Sequence, residues 1–199
     1  MDQSRFGYYN EFITQQSISI VDDIFTDFIE FNKKWFELSQ KYTNLVIFPP
    51  GIGMGCFPNM KFWLNNYDFK WVSPWSKRNC TSRSSLGGFT HWEPILIWGK
   101  PGEKIPTDIY DEPLRLNLDQ KMAKEGHPTP KAVGLISLVL KDYKPDTVLD
   151  LFGGSGSTLI ACEQLNRKCY MMELDPIYCS VIIERWEKLT NKKSTKVDK

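Results

Sequence analysis

A glycine-rich turn between a hydrophobic run and a helix start is the segment of this sequence best suited to chemistry. Residues 147–160 read Thr-Val-Leu-Asp-Leu-Phe-Gly-Gly-Ser-Gly-Ser-Thr-Leu-Ile. The three close glycines let the backbone turn sharply and approach a ligand where a Cβ would intrude. The helix predicted to begin at Ser157 would direct its free N–H groups at a ligand above the sheet. The segment therefore predicts a loop that binds a nucleotide-like molecule.

A glutamate in the next apolar run strengthens this interpretation. Residues 169–172 form a short hydrophobic stretch, and Glu173 follows it directly. An acidic residue at the tip of the second strand is where such folds bind ribose hydroxyls. The turn and Glu173 together predict half of a site for an adenosine-containing cofactor. NAD, FAD and S-adenosylmethionine all remain candidates, although the glycine spacing is not Gly-x-Gly-x-x-Gly, which disfavours a dehydrogenase.

Composition limits the other classes of function. The chain has 199 residues and a net charge of +1, which fits one globular domain without an overall polyanion-binding charge. The five cysteines form no Cys-x-x-Cys pair and only two histidines are present, so we expect neither a disulfide scaffold nor a metal site. The sequence shows no signal peptide and no long apolar stretch, which predicts a cytoplasmic protein without a membrane segment.

The first half of the chain mixes helix, strands and loops. Apolar residues recur at helical spacing over residues 22–41, with acids at the start and a lysine at the end. Short apolar runs predict strands at 45–48, 69–72 and 94–98. The glycine- and proline-rich residues 52–59 and the basic residues 76–90 predict loops, and residues 101–126 look irregular.

The second half alternates between helices and strands. We predict a helix over 130–143, a strand over 148–152, a helix over 157–165, a strand over 169–173 and a helix over 177–189. Such alternation is typical of a parallel sheet with helices on both faces.

Three segments resemble the cofactor site of DNA amino-methyltransferases, which use S-adenosylmethionine to methylate N6 of adenine or N4 of cytosine. Residues 150–158 are similar to the family's loop Asp-Pro-Phe-x-Gly-Ser-Gly-Thr-Thr. Residues 127–131, His-Pro-Thr-Pro-Lys, resemble the His-Pro-Thr-x-Lys segment that precedes the loop by one helix. Residues 172–178 resemble the Gly-x-Glu-x-x-x-x-Tyr segment that closes the site. The resemblance is specific over residues 127–190.

This resemblance implies a role for each matched residue. Asp150 and the backbone of residues 152–157 would line the methionine part of S-adenosylmethionine, and Glu173 would bind the ribose hydroxyls. Thr129 and Lys131 would lie near the methionine carboxylate, with Lys131 as its counter-charge. The implied cofactor-binding residues are Thr129, Lys131, Asp150, Phe152, Gly153, Gly154, Ser155, Gly156, Ser157, Glu173, Leu174 and Asp175, the leucine and the second aspartate lying beside the adenine.

The resemblance also implies the fold. In one subgroup of the family the strand-rich catalytic half precedes the cofactor half, and here residues 22–100 precede residues 127–190. We expect one α/β domain over residues 1–199 with a Rossmann-like class I methyltransferase sheet in permuted strand order. The sheet would be mostly parallel with helices on both faces, flanked by an irregular segment 1–20 and a tail 191–199.

The family's catalytic signature has no counterpart in the sequence. These enzymes hold the base amine with an Asp- or Ser-Pro-Pro-aromatic tetrapeptide, whose aromatic ring stacks on the flipped base. It should lie just before the helix at residue 22, and residues 1–21 do not contain it. Residues 48–51, Phe-Pro-Pro-Gly, and 73–75, Ser-Pro-Trp, match it only in part. No catalytic residue is assigned, so the chain is expected to be an incomplete enzyme or a relative that binds without transferring methyl groups.

Double-stranded DNA is the partner that the resemblance implies. The basic stretch 71–92 would contact it, with Lys77, Arg78 and Arg83 reaching phosphates. A solvated basic loop is the alternative for this stretch. For the whole chain the alternatives are a non-catalytic S-adenosylmethionine- or DNA-binding module, completed by a partner chain or a second copy, and a dehydrogenase that uses NAD in the same loop.

Overall fold

The computed structural model describes residues 15–50, 56–77, 91–100, 109–111 and 131–197, with side chains described from Ile29 in the first helix and from Met60 in the second. These residues form five helices and six strands. In chain order they are α1 (Gln15–Tyr42), β1 (Leu45–Phe48), α2 (Cys56–Asn66), β2 (Phe69–Ser76), β3 (Trp92–Gly99), β4 (Tyr110–Asp111), α3 (Val133–Tyr143), β5 (Thr147–Asp150), α4 (Ser157–Gln164), β6 (Lys168–Met171) and α5 (Pro176–Thr190).

Most predicted elements are confirmed with shifted ends, but three segments predicted to be irregular are wrong in part. The segment 1–20 is helical from Gln15, where α1 begins, and the stretch 101–126 contains β4. The loop predicted over residues 52–59 is wrong from Cys56 onward. Helix α2 begins there and continues to Asn66. Pro58 lies in the first turn of α2, where a missing N–H breaks no helical hydrogen bond. Phe62 and Trp63 bury their side chains, so packing stabilises a helix that the preceding glycines and Pro58 obscured in the sequence.

The strands form two sheets. The larger has the order β1-β3-β2-β4, in which β3 pairs antiparallel with both neighbours and β2 pairs parallel with β4. The smaller joins β5 and β6 in parallel, with Asp150 opposite Met171 at the carboxyl end. The predicted α/β class is confirmed, but the sheet is mixed, because β3 pairs antiparallel with both β1 and β2.

Alternate side chains of β3 point to opposite faces of the larger sheet, and helices pack on both faces. Leu96 packs into an aromatic-rich cluster with Phe36 of α1 and Trp63 of α2. On the other face, Ile95 and Ile97 pack in one cluster with Leu135 of α3. Eight of the 27 aromatic residues of the chain belong to the first of these clusters or pack against it.

Helix α3 connects the two sheets. Leu135 belongs to the core of the larger sheet, whereas Leu140, one to two turns further along, packs with Ala161 and Cys162 of α4 above β5 and β6. A displacement of α3 would therefore be felt in both halves. Among the described residues, no helix is long and apolar enough to span a membrane.

Candidate functional site

The glycine turn follows β5 at the carboxyl end of the smaller sheet. The Phe152 N–H donates a hydrogen bond of 2.9 Å to Oδ1 of Asp150, the last residue of β5. The Gly153 N–H donates to the Met172 carbonyl at 2.9 Å, and the Gly156 N–H donates to the Gly153 carbonyl at 2.8 Å. These bonds fold the turn across the end of β6, where a parallel sheet places its ligands.

Glycine is required in this turn for conformation and for space. Gly154 and Gly156 have φ angles of 52° and 79°, in the left-handed region that side chains disfavour. A Cβ on Gly156 would lie 3.0 Å from Ile182 of α5, and one on Gly153 would lie 2.8 Å from the Met171 side chain. The backbone therefore packs directly on β6 and α5, which fixes the height of the turn above the sheet.

Glu173 closes the turn from the side of β6. Its Oε2 accepts a hydrogen bond of 2.6 Å from the Gly154 N–H. Its Oε1 accepts from the N–H groups of Leu174 and Asp175 at 2.8 and 2.9 Å. Three backbone donors thus fix the Glu173 carboxylate at the edge of the turn.

The residues after Glu173 divide into a helix cap and an exposed apolar group. The Asp175 Oδ1 accepts a 2.8 Å hydrogen bond from the Ile177 N–H and caps the N-terminus of α5. Leu174 is 98% exposed, and Met172 and Ile177 beside it are also exposed. The polar carboxylate thus has an apolar surface next to it, which suits a ligand that carries a planar ring beside hydroxyl groups.

Two buried serines support the turn from the side of α3 and α5. The Ser157 hydroxyl donates to the Lys131 carbonyl at 2.7 Å, and the Ser155 and Ser157 hydroxyls lie 3.3 Å apart. The Arg185 guanidinium donates to the Ser155 carbonyl at 2.5 Å. The turn is therefore tied to the segment before α3 and to the middle of α5.

The side chain of Phe152 connects the glycine turn to α1, in the first half of the chain. Its ring lies 5.9 Å from that of Phe31 and 5.6 Å from that of Trp35, both on α1 and both in edge-to-face geometry. Such pairs contribute roughly 0.5–1.5 kcal/mol beyond buried area. Helix α1 therefore borders the candidate cofactor site.

Comparison with known proteins decides the family. The family model described as DNA methylase, for N6- and N4-methyltransferases, matches residues 22–184. This chain belongs to that family of DNA amino-methyltransferases. The match extends beyond the three cofactor motifs and includes α1 and the larger sheet.

Curated members of the family are similar over much of the chain. The type II methyltransferase M2.MboI of Moraxella bovis is 29% identical in an alignment of 143 residues that covers 63% of this chain and 52% of that protein. M2.DpnII of Streptococcus pneumoniae is 26% identical in an alignment of 183 residues that covers 79% of this chain and 67% of its own. The chain thus spans about half to two thirds of the length of these relatives.

Solved structures share the fold. A putative DNA modification methylase of Thermus thermophilus, TTHA0409, superimposes with a TM-score of 0.57 at 18% identity, over 90% of this chain and 84% of its own. The complex of M1.HpyAVI with SAM gives a TM-score of 0.52 at 22% identity, over 71% and 74%. These likenesses confirm the class I methyltransferase fold that the sequence predicted.

The structure brings most of the predicted cofactor residues together. Asp150, the turn and the Glu173 tip surround one end of the smaller sheet, and Lys131 reaches the turn through its carbonyl. Thr129, Arg78 and Arg83 lie outside the described residues, as do residues 1–14. The Lys131 ammonium is directed to Glu93 and Trp75 of the larger sheet.

Lys77 is located differently from the sequence-based expectation of a phosphate contact. Its side chain is only 11% exposed, and its ammonium forms an ion pair with Glu93. The same ammonium lies 4.3 Å from the centroid of the Trp75 ring. The Lys77 charge is therefore paired within the protein, and the structure gives no support to the predicted DNA contact.

Sequence reasoning missed Glu93, the partner of two lysines. It is the acid in an otherwise apolar strand, Trp-Glu-Pro-Ile-Leu-Ile-Trp-Gly, and its side chain is 12% exposed. A charge within a buried strand requires a partner, and that requirement was the available signal. The contact of Phe152 with α1 left no such signal, because it depends on how the two halves pack.

Proposed function

We propose that this chain binds S-adenosylmethionine at the glycine turn and serves the methylation of an exocyclic base amine in double-stranded DNA, at N6 of adenine or N4 of cytosine. The bond from the Gly154 N–H to Glu173 carries the proposal, because it joins the turn and the acidic strand tip into one pocket edge. Family membership supplies the reaction class.

The residues at the turn fit this cofactor. Its amino-acid end has a carboxylate, which suits the N-terminus of α4 at Ser157. The Glu173 carboxylate suits a ribose hydroxyl, and the exposed Leu174 suits the flat adenine. When bound, this cofactor supplies an electrophilic methyl group on sulfur. The described residues would bind and orient it against α1 and exclude water from its apolar side.

Calorimetric titration with S-adenosylmethionine and incorporation of labelled methyl groups into mixed-sequence DNA test the two parts of the proposal. Binding in the micromolar range is expected, since cofactors of this size gain several kcal/mol from such sites. Titration with NAD is the control for a dehydrogenase. Binding of NAD in preference to S-adenosylmethionine would overturn the assignment.

A second candidate is a binding module that transfers methyl groups only when another polypeptide completes it. Two observations favour it. The sequence contains no Asp- or Ser-Pro-Pro-aromatic tetrapeptide. Leu149 and Tyr170, directly opposite each other on β5 and β6, are 42% and 56% exposed, although parallel strands normally have both faces covered. Binding without methyl transfer by this chain alone would favour the module, whereas transfer by the purified chain would exclude it.

A further inference from the structure

Lys131 contacts both halves of the protein through different parts of the residue. Its backbone carbonyl accepts the 2.7 Å hydrogen bond from the Ser157 hydroxyl at the start of α4. Its ammonium lies 3.7 Å from Oε2 of Glu93 on β3 and 5.1 Å from the centroid of the Trp75 ring on β2. The residue therefore bridges the glycine turn and the larger sheet.

The partners of the Lys131 ammonium are held rigidly. Trp75 is 1% exposed and forms part of the core beneath α3. The Glu93 carboxylate is fixed by its ion pair with Lys77 through Oε1. The other oxygen, Oε2, is buried and has no hydrogen-bond partner among the described residues, and the Lys131 ammonium faces it. A buried acceptor of this kind favours a cation that can approach it.

The carbonyl side of Lys131 is equally constrained. Ser157 is the first residue of α4 and is almost fully buried, so its hydroxyl cannot turn to water for another partner. Ala132, the next residue after Lys131, is 3% exposed and belongs to the core of the larger sheet. A shift of Lys131 would therefore move Ser157 and the turn that precedes it.

We propose that Lys131 is a positioning residue that ties the glycine turn to the larger sheet through Glu93 and Trp75, and that it affects cofactor binding through Ser157. This inference rests on the proposed function, because the cofactor at the turn is taken to be S-adenosylmethionine. It differs from the counter-charge role that the sequence motif implied. In that role the ammonium would contact the methionine carboxylate directly.

Two ligands distinguish these roles. S-adenosylmethionine carries the carboxylate, whereas 5′-methylthioadenosine has the same adenosine but no amino-acid part. If Lys131 positions the turn, Lys131→Met weakens both ligands by a similar factor, about 5- to 30-fold for the loss of a partly buried ion pair. If Lys131 is a counter-charge, the same variant weakens only S-adenosylmethionine. That selective loss would overturn the proposal.

Variants that never touch the ligand sharpen the test. The double variant Lys77→Met/Glu93→Gln removes the Glu93 charge without leaving Lys77 buried and unpaired, which a single Glu93→Gln change would do. It should weaken both ligands as Lys131→Met does, and adding Lys131→Met to it should cost nothing more. Additive losses would contradict a shared mechanism. Lys131→Arg, unlike Lys131→Met, should keep the affinity for both ligands, because a guanidinium also pairs with carboxylates and stacks on tryptophan. Lys188→Met, at an exposed position on α5, is the control.

A ligand-free measurement separates this inference from the proposed function. Amide hydrogen exchange at residues 153–160 should be faster in Lys131→Met than in the wild-type protein or in Lys188→Met, while the midpoint of thermal unfolding changes little. If the wild-type protein binds neither ligand, the proposed function fails, and faster exchange would still support the positioning role. Unchanged exchange in this segment would refute it.

Discussion

The Gly154 N–H lies 2.6 Å from Oε2 of Glu173, so the glycine turn after one strand and the acidic tip of the next form a single hydrogen-bonded unit. Nineteen positions separate the two residues in the chain. Glu173 therefore holds the turn in its folded-back conformation even without a ligand. Changes at either residue should therefore affect the shape of the turn and the affinity for the cofactor together.

Substitution of Gly154 tests the location of the cofactor. Gly154→Asp should abolish binding of S-adenosylmethionine while the protein stays folded, because the new carboxylate would lie beside Glu173 and in the ligand space. Asp adopts a φ near 52° more readily than most residues, so the backbone is expected to survive. Gly154→Ala, the matched control, should cost only about 1 kcal/mol from the left-handed conformation. Calorimetry and circular dichroism measure both effects, and undiminished affinity in Gly154→Asp would remove the cofactor from this turn.

Removal of the charge of Glu173 tests the closing bond. Glu173→Gln keeps the shape of the side chain but weakens its bonds to three backbone N–H groups. Bonds to charged acceptors contribute roughly 1.5–3 kcal/mol each, so we expect cofactor affinity to fall about 30-fold or more. Glu187→Gln, on the far part of α5, should leave affinity unchanged. Equal affinities in the two variants would separate the acid from the site.

The local parts of this site were predictable from the sequence. The strand, the glycine turn and Glu173 follow one another within a short stretch, and left-handed glycines can be inferred from residue type alone. Asp175 as the cap of α5 is a local feature of the same kind. Here the short-range chemistry of the chain determines the structure.

The parts that were missed depend on packing between distant segments. A basic stretch favoured a surface location for Lys77, and its burial against Glu93, 16 positions away, could not be inferred from charge alone. Pro58 hid the start of α2, and Pro74 hid the second half of β2, although proline is tolerated in a first helical turn and at selected strand positions. The antiparallel pairs of the larger sheet were missed for another reason. Helices and strands alternate in the second half of the chain, which predicts parallel strands, and the same arrangement was expected for the first half.

Alkaline conditions should destabilise the fold through Tyr110. Burial raises the pKa of Tyr110 above its ordinary value, and the charges of Tyr143 and Asp142 raise it further. The folded state then holds the phenol proton more tightly than the unfolded chain, whose tyrosines ionise near pH ~10. The contribution of the Tyr110 phenol to the free energy of unfolding should be fully present below that pH and should decrease as the pH rises above it. Urea unfolding at about pH 8 and pH 11 should show a smaller alkaline loss in Tyr110→Phe than in the exposed control Tyr170→Phe. Equal losses would assign the effect to other groups.

The contact between the two halves can be measured at Phe152. Its ring meets Trp35 of α1 at 5.6 Å, so Phe152→Ala and Trp35→Ala should be coupled in a double-mutant cycle of unfolding free energies. We expect a coupling of roughly 0.5–1.5 kcal/mol, the size of an aromatic pair. Phe152→Leu keeps the apolar volume and controls for burial alone. A coupling near zero would mean that α1 and the turn do not pack together in solution.

The exposed face of β5 and β6 gives a prediction about association. Leu149 and Tyr170 lie opposite each other and present their side chains to solvent on the side away from α4, so this chain on its own should self-associate through them. Leu149→Thr/Tyr170→Thr keeps strand propensity while making the face polar. Sedimentation velocity should then show a shift toward monomer, with affinity for S-adenosylmethionine retained because neither side chain belongs to the turn. The exposed control Ile183→Thr on α5 should leave the distribution of species unchanged. If the double variant associates as the wild-type protein does, this face is not the one that another polypeptide covers.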